Sequence, residues 1–274
     1  MLGINKLSPG RMGNRLFHYN FLRQIAKKLG THYYHIKFPE SKYFLGMGVK
    51  PKIIPCLQKP IKVNSKDILA KEPGEFLNFI NEKIEQGRDV VFEPPILGEV
   101  FFDYLFYNPN DFIKIKHNYQ IDHSYENNQI FIGVHFRGAD FSIWNPDAAL
   151  KFDYYEEALN FCITAFEKKR IVFSLFTDDL EYPAYLRTLL YLNDYEVILG
   201  DPRRLPIYDF YFMSQCDVLI SSPSTFAIFA GILGKQKRII HSKCWLDYAT
   251  DRNDMFWVRL KETNNPYYNL WKAF

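Results

Sequence analysis

The stretch IFIGVHFRGAD, residues 130–140, is an apolar run that ends abruptly in charged residues. Ile130 to Phe136 reads as a strand, and its alternation puts His135 and Arg137 on one face with Phe136 on the other. Helical and strand patterns then alternate to the end of the regular region. Asp153 to about Lys168 reads as a helix with Tyr155, Ala158, Leu159, Cys162 and Phe166 on one face and Asp153 and Glu156 at capping-box spacing. Strands follow at Ile171–Phe176, Glu196–Leu199, Asp217–Ser221 and, as the last, Arg238–His241. The helices between them are Ala184–Tyr191, Pro206 to about Gln215, and Ser224–Leu233, which Gly234 closes. This succession predicts a doubly wound parallel α/β domain over residues 129–250.

Upstream, a polar stretch from His117 to Asn128 separates that domain from a weaker α/β pattern over residues 1–128. Leu2 to Leu7 is a strand, Ser8-Pro9-Gly10 a turn, and about Asn14 to Leu29 a helix stopped by Gly30, with Lys27 and Lys28 suiting its negative end. His32–Phe38 and Val90–Phe92 read as strands. Pro39 to about Gly74 reads as loops shaping one wall of a cleft, and Phe101 to His117 as partly helical with a break at Pro109. Residues 251–274 are expected to pack back on the first domain. The fold class is therefore α/β with two Rossmann-like domains.

Composition supports an ordinary folded globular protein. The 274 residues suffice for two modest domains, and 47% hydrophobic with 24% charged residues is ordinary for a globular chain. Aromatics make up 18%, most of them expected in the cores and a few against a sugar. A net charge of +3 does not suggest nucleic-acid binding, which calls for a clustered basic face. Cys56, Cys162, Cys216 and Cys244 form no CxxC pair, so no zinc site is suggested. The segment MLGINKLSPG has neither the basic region nor the apolar run of a signal peptide. No stretch approaches the roughly 20 apolar residues of a membrane span. A cytoplasmic protein is expected, with peripheral membrane contact open.

In open α/β sheets ligands lie at the carboxyl ends of strands, so the polar strand-to-helix junctions carry the chemistry. Gly10-Arg11-Met12-Gly13-Asn14 offers close backbone approach and a helix start to an anion, or is simply a glycine turn. Arg137 is placed to neutralise a diphosphate, or forms a structural pair with Asp140. Asp178 and Asp179 follow a strand and suit a metal, N–H donors such as those of guanine, or a helix start, the last being the reading preferred for Asp179. Ser222-Pro223-Ser224-Thr225-Phe226 is a phosphate cradle, an N-cap by Ser222 or Ser224, or both.

Taken in order, these segments resemble the α-1,2-fucosyltransferases and their α-1,6- and protein-O-fucosyltransferase relatives. GRMGNRLFHY is similar to the family's G-x-x-G-N-Q turn, HFRGAD to H-x-R-R-x-D, FDYYEEAL to D-Y-Y-x-x-A, and FTDDLEY to F-S-D-D-x-E-W. DFYFMSQCDVLISSPSTFAIFAG is similar to D-x-x-x-M-S-x-C followed by S-S-F-S-W-W-G. The resemblance implies a GT-B architecture and an inverting transferase that uses GDP-fucose as donor with no metal or other cofactor. The implied acceptor is an oligosaccharide or glycolipid, by analogy the α-1,2 position of a galactoside. It places Arg137 on the β-phosphate and glycosidic oxygen, His135 and Asp178 on guanine, Ser224, Thr225 and Phe226 on the diphosphate, and Gly13 and Asn14 toward the sugar. This chain departs from the pattern at Gly138, where the family has a second arginine, and at Arg15, Pro223, Ile228 and Phe229. Arg11 or Arg15 could supply the lost charge. Asp140, Asp147, His18 and Glu93 are the candidates for a late-acting base.

Overall fold

The computed structural model describes residues 1–47, 50, 58–96, 104–119, 128–139, 149–201, 203–234, 238–241 and 271–273. They divide into two compact units, one holding Met1–Lys116 and the other the described residues from His117 onward.

The first unit is built on a parallel sheet of four short strands. Their ranges are β1 (Leu2–Ile4), β2 (Tyr33–His35), β4 (Ile61–Val63) and β5 (Val90–Phe92), in the spatial order β2-β1-β5-β4. Helix α1 (Met12–Lys28) follows β1, and the chain turns away at Gly30 as the sequence predicts. A two-stranded antiparallel ribbon pairs β3 (Phe44–Leu45) with β6 (Lys114–Ile115). The aromatics of this unit fill its core edge to face. Phe21 lies 5.0 Å from Phe92 and 5.3 Å from Tyr104, and Tyr104 lies 5.5 Å from Phe76.

Two expectations for this unit are corrected. The stretch read as loops holds β3, β4 and helix α2 (Ser65–Leu69), and α3 (Pro73–Glu85) begins at its end. These pieces escape periodicity because a three-residue strand shows no alternation and α3 buries only Phe76 and Ile80. The real start signals are local: Asn64 and Asp67 form a capping box on α2, and Pro73 opens α3. Between residues 104 and 119 the described chain forms two 3₁₀ turns around β6 and no α-helix, with Pro109 opening the first turn.

The second unit holds a six-stranded parallel sheet. Its strands are β7 (Gln129–Phe136), β8 (Arg170–Thr177), β9 (Glu196–Leu199), β10 (Val218–Ser221), β11 (Arg238–His241) and β12 (Trp271–Ala273). The helices are α4 (Phe152–Ala165), α5 (Pro183–Tyr191), α6 (Pro206–Gln215) and α7 (Thr225–Leu233). β7 and β8 are eight residues each and almost wholly buried, as central strands covered on both faces must be. The spatial order β12-β11-β10-β7-β8-β9 reverses direction between β7 and β10. That reversal is the switch point at which connecting chains leave the sheet on opposite sides and open a crevice beyond the strands' carboxyl ends.

Packing on the sheet follows the sequence. Tyr155, Ala158, Leu159 and Cys162 of α4 are buried against the strands, with Phe136 4.3 Å from Tyr155. Two details differ from expectation. The Asp153–Glu156 capping box is not formed, because α4 starts one residue earlier on Lys151 and Asp153 sits in the first turn, where its charge faces the positive helix end. Trp271–Ala273, expected to pack with the tail on the first domain, instead pairs in parallel with β11 and adds a strand beyond the predicted last one.

Truncating Phe173, fully buried at the middle of β8, is expected to cost about 3–5 kcal/mol in denaturant unfolding. Leu190→Ala, at a side chain 76% exposed, should stay within about 0.5 kcal/mol of wild type.

Candidate functional site

The switch point gathers the polar residues of two junctions. β7 delivers His135 near its end and Arg137 just beyond it, and β10 delivers Ser221 and then Ser222. The His135 ring Nδ1 lies 2.7 Å from Ser222 Oγ, a hydrogen bond that joins the two diverging strands across the crevice. Both residues are buried. Desolvation, and secondarily the charge of Arg137, push the His135 imidazole down to about 3, so it is neutral at physiological pH. A neutral ring donates at one nitrogen and accepts at the other, which suits it to a heterocycle's edge rather than to a phosphate.

Arg137 is held by the segment after β8. Its guanidinium pairs with the Asp178 carboxylate, whose second oxygen accepts from Gly138 N–H at 3.2 Å. Asp179 accepts from Ala139 N–H at 3.2 Å through one oxygen and from Glu181 N–H at 3.1 Å through the other. The hydroxyl of Thr177 accepts from Asp179 N–H at 3.0 Å and fixes the turn. The paired aspartates therefore clamp the loop leaving β7, a use the sequence does not display. Asp178 is not a free acceptor, and Asp179 braces this loop while α5 starts later, on Tyr182. Among the described residues, no group of three His, Cys, Asp or Glu side chains is gathered as a metal site.

The clamp also accounts for Gly138. A Cβ there would stand 2.7 Å from Asp179 Oδ2 and 2.8 Å from its Cβ, so no side chain fits unless Asp179 moves. The next residue, Ala139, has φ 28°, a left-handed turn that brings its N–H to Asp179. An arginine at 138 is thus incompatible with this loop as built.

Opposite Arg137's strand, α7 begins at Ser224. The capping that competed with a phosphate cradle is not observed, since neither serine makes a side-chain cap hydrogen bond. The amino end of this nine-residue helix points its positive dipole end out of the sheet beside Ser222, a disposition that favours an anion. Phe226 stands on the first turn, its ring 6.1 Å from His135 and 5.3 Å from Phe210. Tyr154 of α4 donates to the carbonyls of Ser221 at 2.9 Å and Ile240 at 3.2 Å, tying together the ends of β10 and β11.

One further residue was missed. Asp209 of α6 lies beside Gly200 at the end of β9, and among the described residues it makes no hydrogen bond or ion pair. Burial is the main reason its carboxyl is pushed up to about 6, with Asp201 adding to the shift and Arg204 opposing it. The signal was present, because Asp209 opens the DFYFMSQC stretch already noted.

Arg11, Gly13 and Asn14 belong to the first unit. Gly10 needs its φ of 83°, Arg11 is the exposed N-cap residue of α1, Gly13 is buried, and Asn14 Nδ2 donates to the Pro9 carbonyl at 3.1 Å. Arg15 pairs with Glu40, its guanidinium 2.5 Å from that carboxylate. The candidate bases fare unevenly. His18 is fully buried and pushed down to about 4 by desolvation, and Glu93 pairs with Lys62 at 2.8 Å. Asp140 and Asp147 lie outside the described residues.

A family model described as Glycosyl transferase family 11 matches residues 105–257. Among solved structures, a complex of Arabidopsis thaliana FUT1, as a point mutant, with GDP is similar at a TM-score of 0.52 and 11% identity, covering 87% of this chain and 69% of that one. NodZ, an α-1,6-fucosyltransferase soaked with GDP-fucose, is similar at a TM-score of 0.49 and 16% identity over 87% of this chain and 93% of its own. POFUT1 in complex with GDP-fucose gives 0.49 and 12% over 86% and 94%. At these identities the FUT1 likeness is one of fold. No curated protein matches the chain in sequence.

The site makes a pH prediction of definite sign. A carboxyl raised to about 6 in the folded state binds its proton more tightly there than when unfolded. Its contribution to stability is present at low pH and lost as pH rises through 6. Asp209→Asn should therefore raise stability at pH 8 by on the order of 1–3 kcal/mol and change it little at about pH 3, below the ordinary carboxylate range, read from denaturant midpoints at both values.

Proposed function

The chain belongs to glycosyl transferase family 11, and from that premise we propose that it moves fucose from GDP-fucose to a hydroxyl of a glycan, inverting the sugar carbon without a metal. The acceptor in this proposal is an oligosaccharide or glycolipid, fucosylated α-1,2 on a galactoside. The observation that carries the reading is the meeting, at one switch point, of the clamped Arg137 with the amino end of α7.

Breaking the bond between sugar and GDP leaves positive charge on the sugar and adds negative charge to the diphosphate. Donors already aimed at that anion lower the barrier without having to reorganise. Arg137 supplies a permanently charged fork, of which Asp178 takes one edge and so fixes the plane. The helix start at Ser224, Thr225 and Phe226 supplies N–H groups and a positive dipole end. His135, neutral and anchored on Ser222, faces the base in this reading. Because Asp178 is engaged, Asp209 is the carboxylate proposed to accept from the adjacent N–H groups of guanine. Arg11, Gly13 and Asn14 are proposed as donor-contacting residues from the resemblance. Asp140 remains the proposed base, acting late as the acceptor hydroxyl attacks the face opposite GDP. The reading places the enzyme in the cytoplasm, at most peripheral to a membrane. Among the described residues no helix is long and apolar enough to cross one.

Gly138 favours a variation on this reading, a GDP-hexose other than GDP-fucose, since one cation of the family pattern is absent. Release of GDP from GDP-fucose and from GDP-mannose, each with a panel of glycan acceptors and in the presence of EDTA, separates the two. Arg137→Ala is expected to lower transfer by roughly a hundredfold or more while leaving the unfolding midpoint near wild type. Transfer at near wild-type rate in that variant would refute the assignment.

A further inference from the structure

The first unit carries a second, unrelated concentration of positive charge. Residues 1–116 contain 18 Lys and Arg against 11 Asp and Glu, a surplus of 7 in a chain of net charge +3, so the remainder carries −4. Part of that surplus surrounds a cleft of about 320 Å³ lined by Arg23, Ala26, Lys27, Gly30, Thr31, Tyr33 and Phe112. The cleft sits where α1 ends and β2 begins. That is the amino edge of the parallel sheet, opposite the edge that carries the Ser8–Asn14 turn.

The cations here lie against aromatic rings. The Arg23 guanidinium carbon lies 4.9 Å from the Tyr33 ring centre and 5.1 Å from that of Phe112. Its Nη1 donates to Tyr19 Oη at 2.7 Å, and Tyr19 in turn donates to the Gly46 carbonyl at 2.8 Å. Burial pushes the Tyr19 phenol up to about 12, so it stays neutral and does not cancel the charge it holds. Among the described residues Arg23 has no carboxylate partner. Lys27 lies 4.1 Å over Tyr107 and pairs with Asp111 at 3.8 Å, with both side chains about half exposed. Lys50 adds a third cation 3.8 Å over the Tyr33 ring. Rings that already face cations are not available to stack on a sugar, so recognition here falls to charge and hydrogen bonds.

We infer that this cleft binds a sugar bearing an oxyanion, with the Arg23 fork and the Lys27 ammonium on the anion and Thr31 beside the sugar hydroxyls. The guanidinium geometry matches carboxylate and phosphate alike. The volume lies at the lower end of the small-molecule range, which suits one sugar residue and not an extended chain. The site goes beyond the proposed transfer and does not depend on it.

Calorimetric titration of the full chain with glucuronic acid and with glucose 6-phosphate tests this, with glucose as the neutral control. Saturable binding of at least one acid and none of glucose is expected, and the tighter acid identifies the oxyanion. Binding should weaken about tenfold or more in Arg23→Gln and in Lys27→Gln, while GDP affinity stays at the wild-type value. Lys27 is exposed, so its variant folds even where Arg23→Gln does not. No saturable binding of either acid would overturn the inference, as would binding undiminished in Lys27→Gln. Binding confined to phosphatidylglycerol vesicles would overturn it too, since it would make the patch a membrane contact.

Discussion

The clamp on the loop after β7 is the constraint from which the rest of the site follows. A guanidinium leaving the end of a buried strand would otherwise sample several rotamers, and a transition-state donor must not have to be ordered during the reaction. Asp178 and Asp179, delivered by the neighbouring strand, hold the arginine and two successive N–H groups of the loop at once. The parallel β7–β8 register makes this possible, pairing His135 with Phe176 and Phe136 with Thr177, so the two junctions leave the sheet side by side. The same clamp leaves no room for a side chain at 138. Loss of the second arginine and retention of a fixed first one are therefore two sides of one local design.

Across the switch point the logic is complementary. The His135–Ser222 hydrogen bond spans the place where the sheet's connections diverge, and it commits the Ser222 hydroxyl to the histidine. Ser224, the N-cap residue, makes no side-chain cap of its own. Burial of His135 enforces neutrality, so the positive charge facing the crevice from β7 is that of Arg137. Charge is concentrated where the leaving group is proposed to carry it, and a neutral hydrogen-bonding surface lies beside it.

Much of this was legible in the sequence, and what was not has physical reasons. The long buried strands and one-sided helices of the second unit announce themselves through periodicity, and β9, α6 and β11 begin and end where the pattern places them. The first unit is harder because its parallel strands are three residues long and α2 and α3 start on capping and proline signals more than on an apolar stripe. At the site, the residues at strand ends could be named, but their pairing could not. Nothing in FTDDLEY says that its aspartates reach back to the loop after another strand, and nothing in GRMGNR says that Arg15 is tied to Glu40. Asp209 was hidden differently, since a single carboxylate on an aromatic helix looks like a solvated residue until its burial is known.

A crystal structure of the chain with GDP bound bears most directly on the central claim. The account predicts the β-phosphate within about 3.2 Å of both the Arg137 guanidinium and a backbone N–H of the first turn of α7. A diphosphate bound elsewhere, with Arg137 still folded onto Asp178 and away from it, would contradict the account.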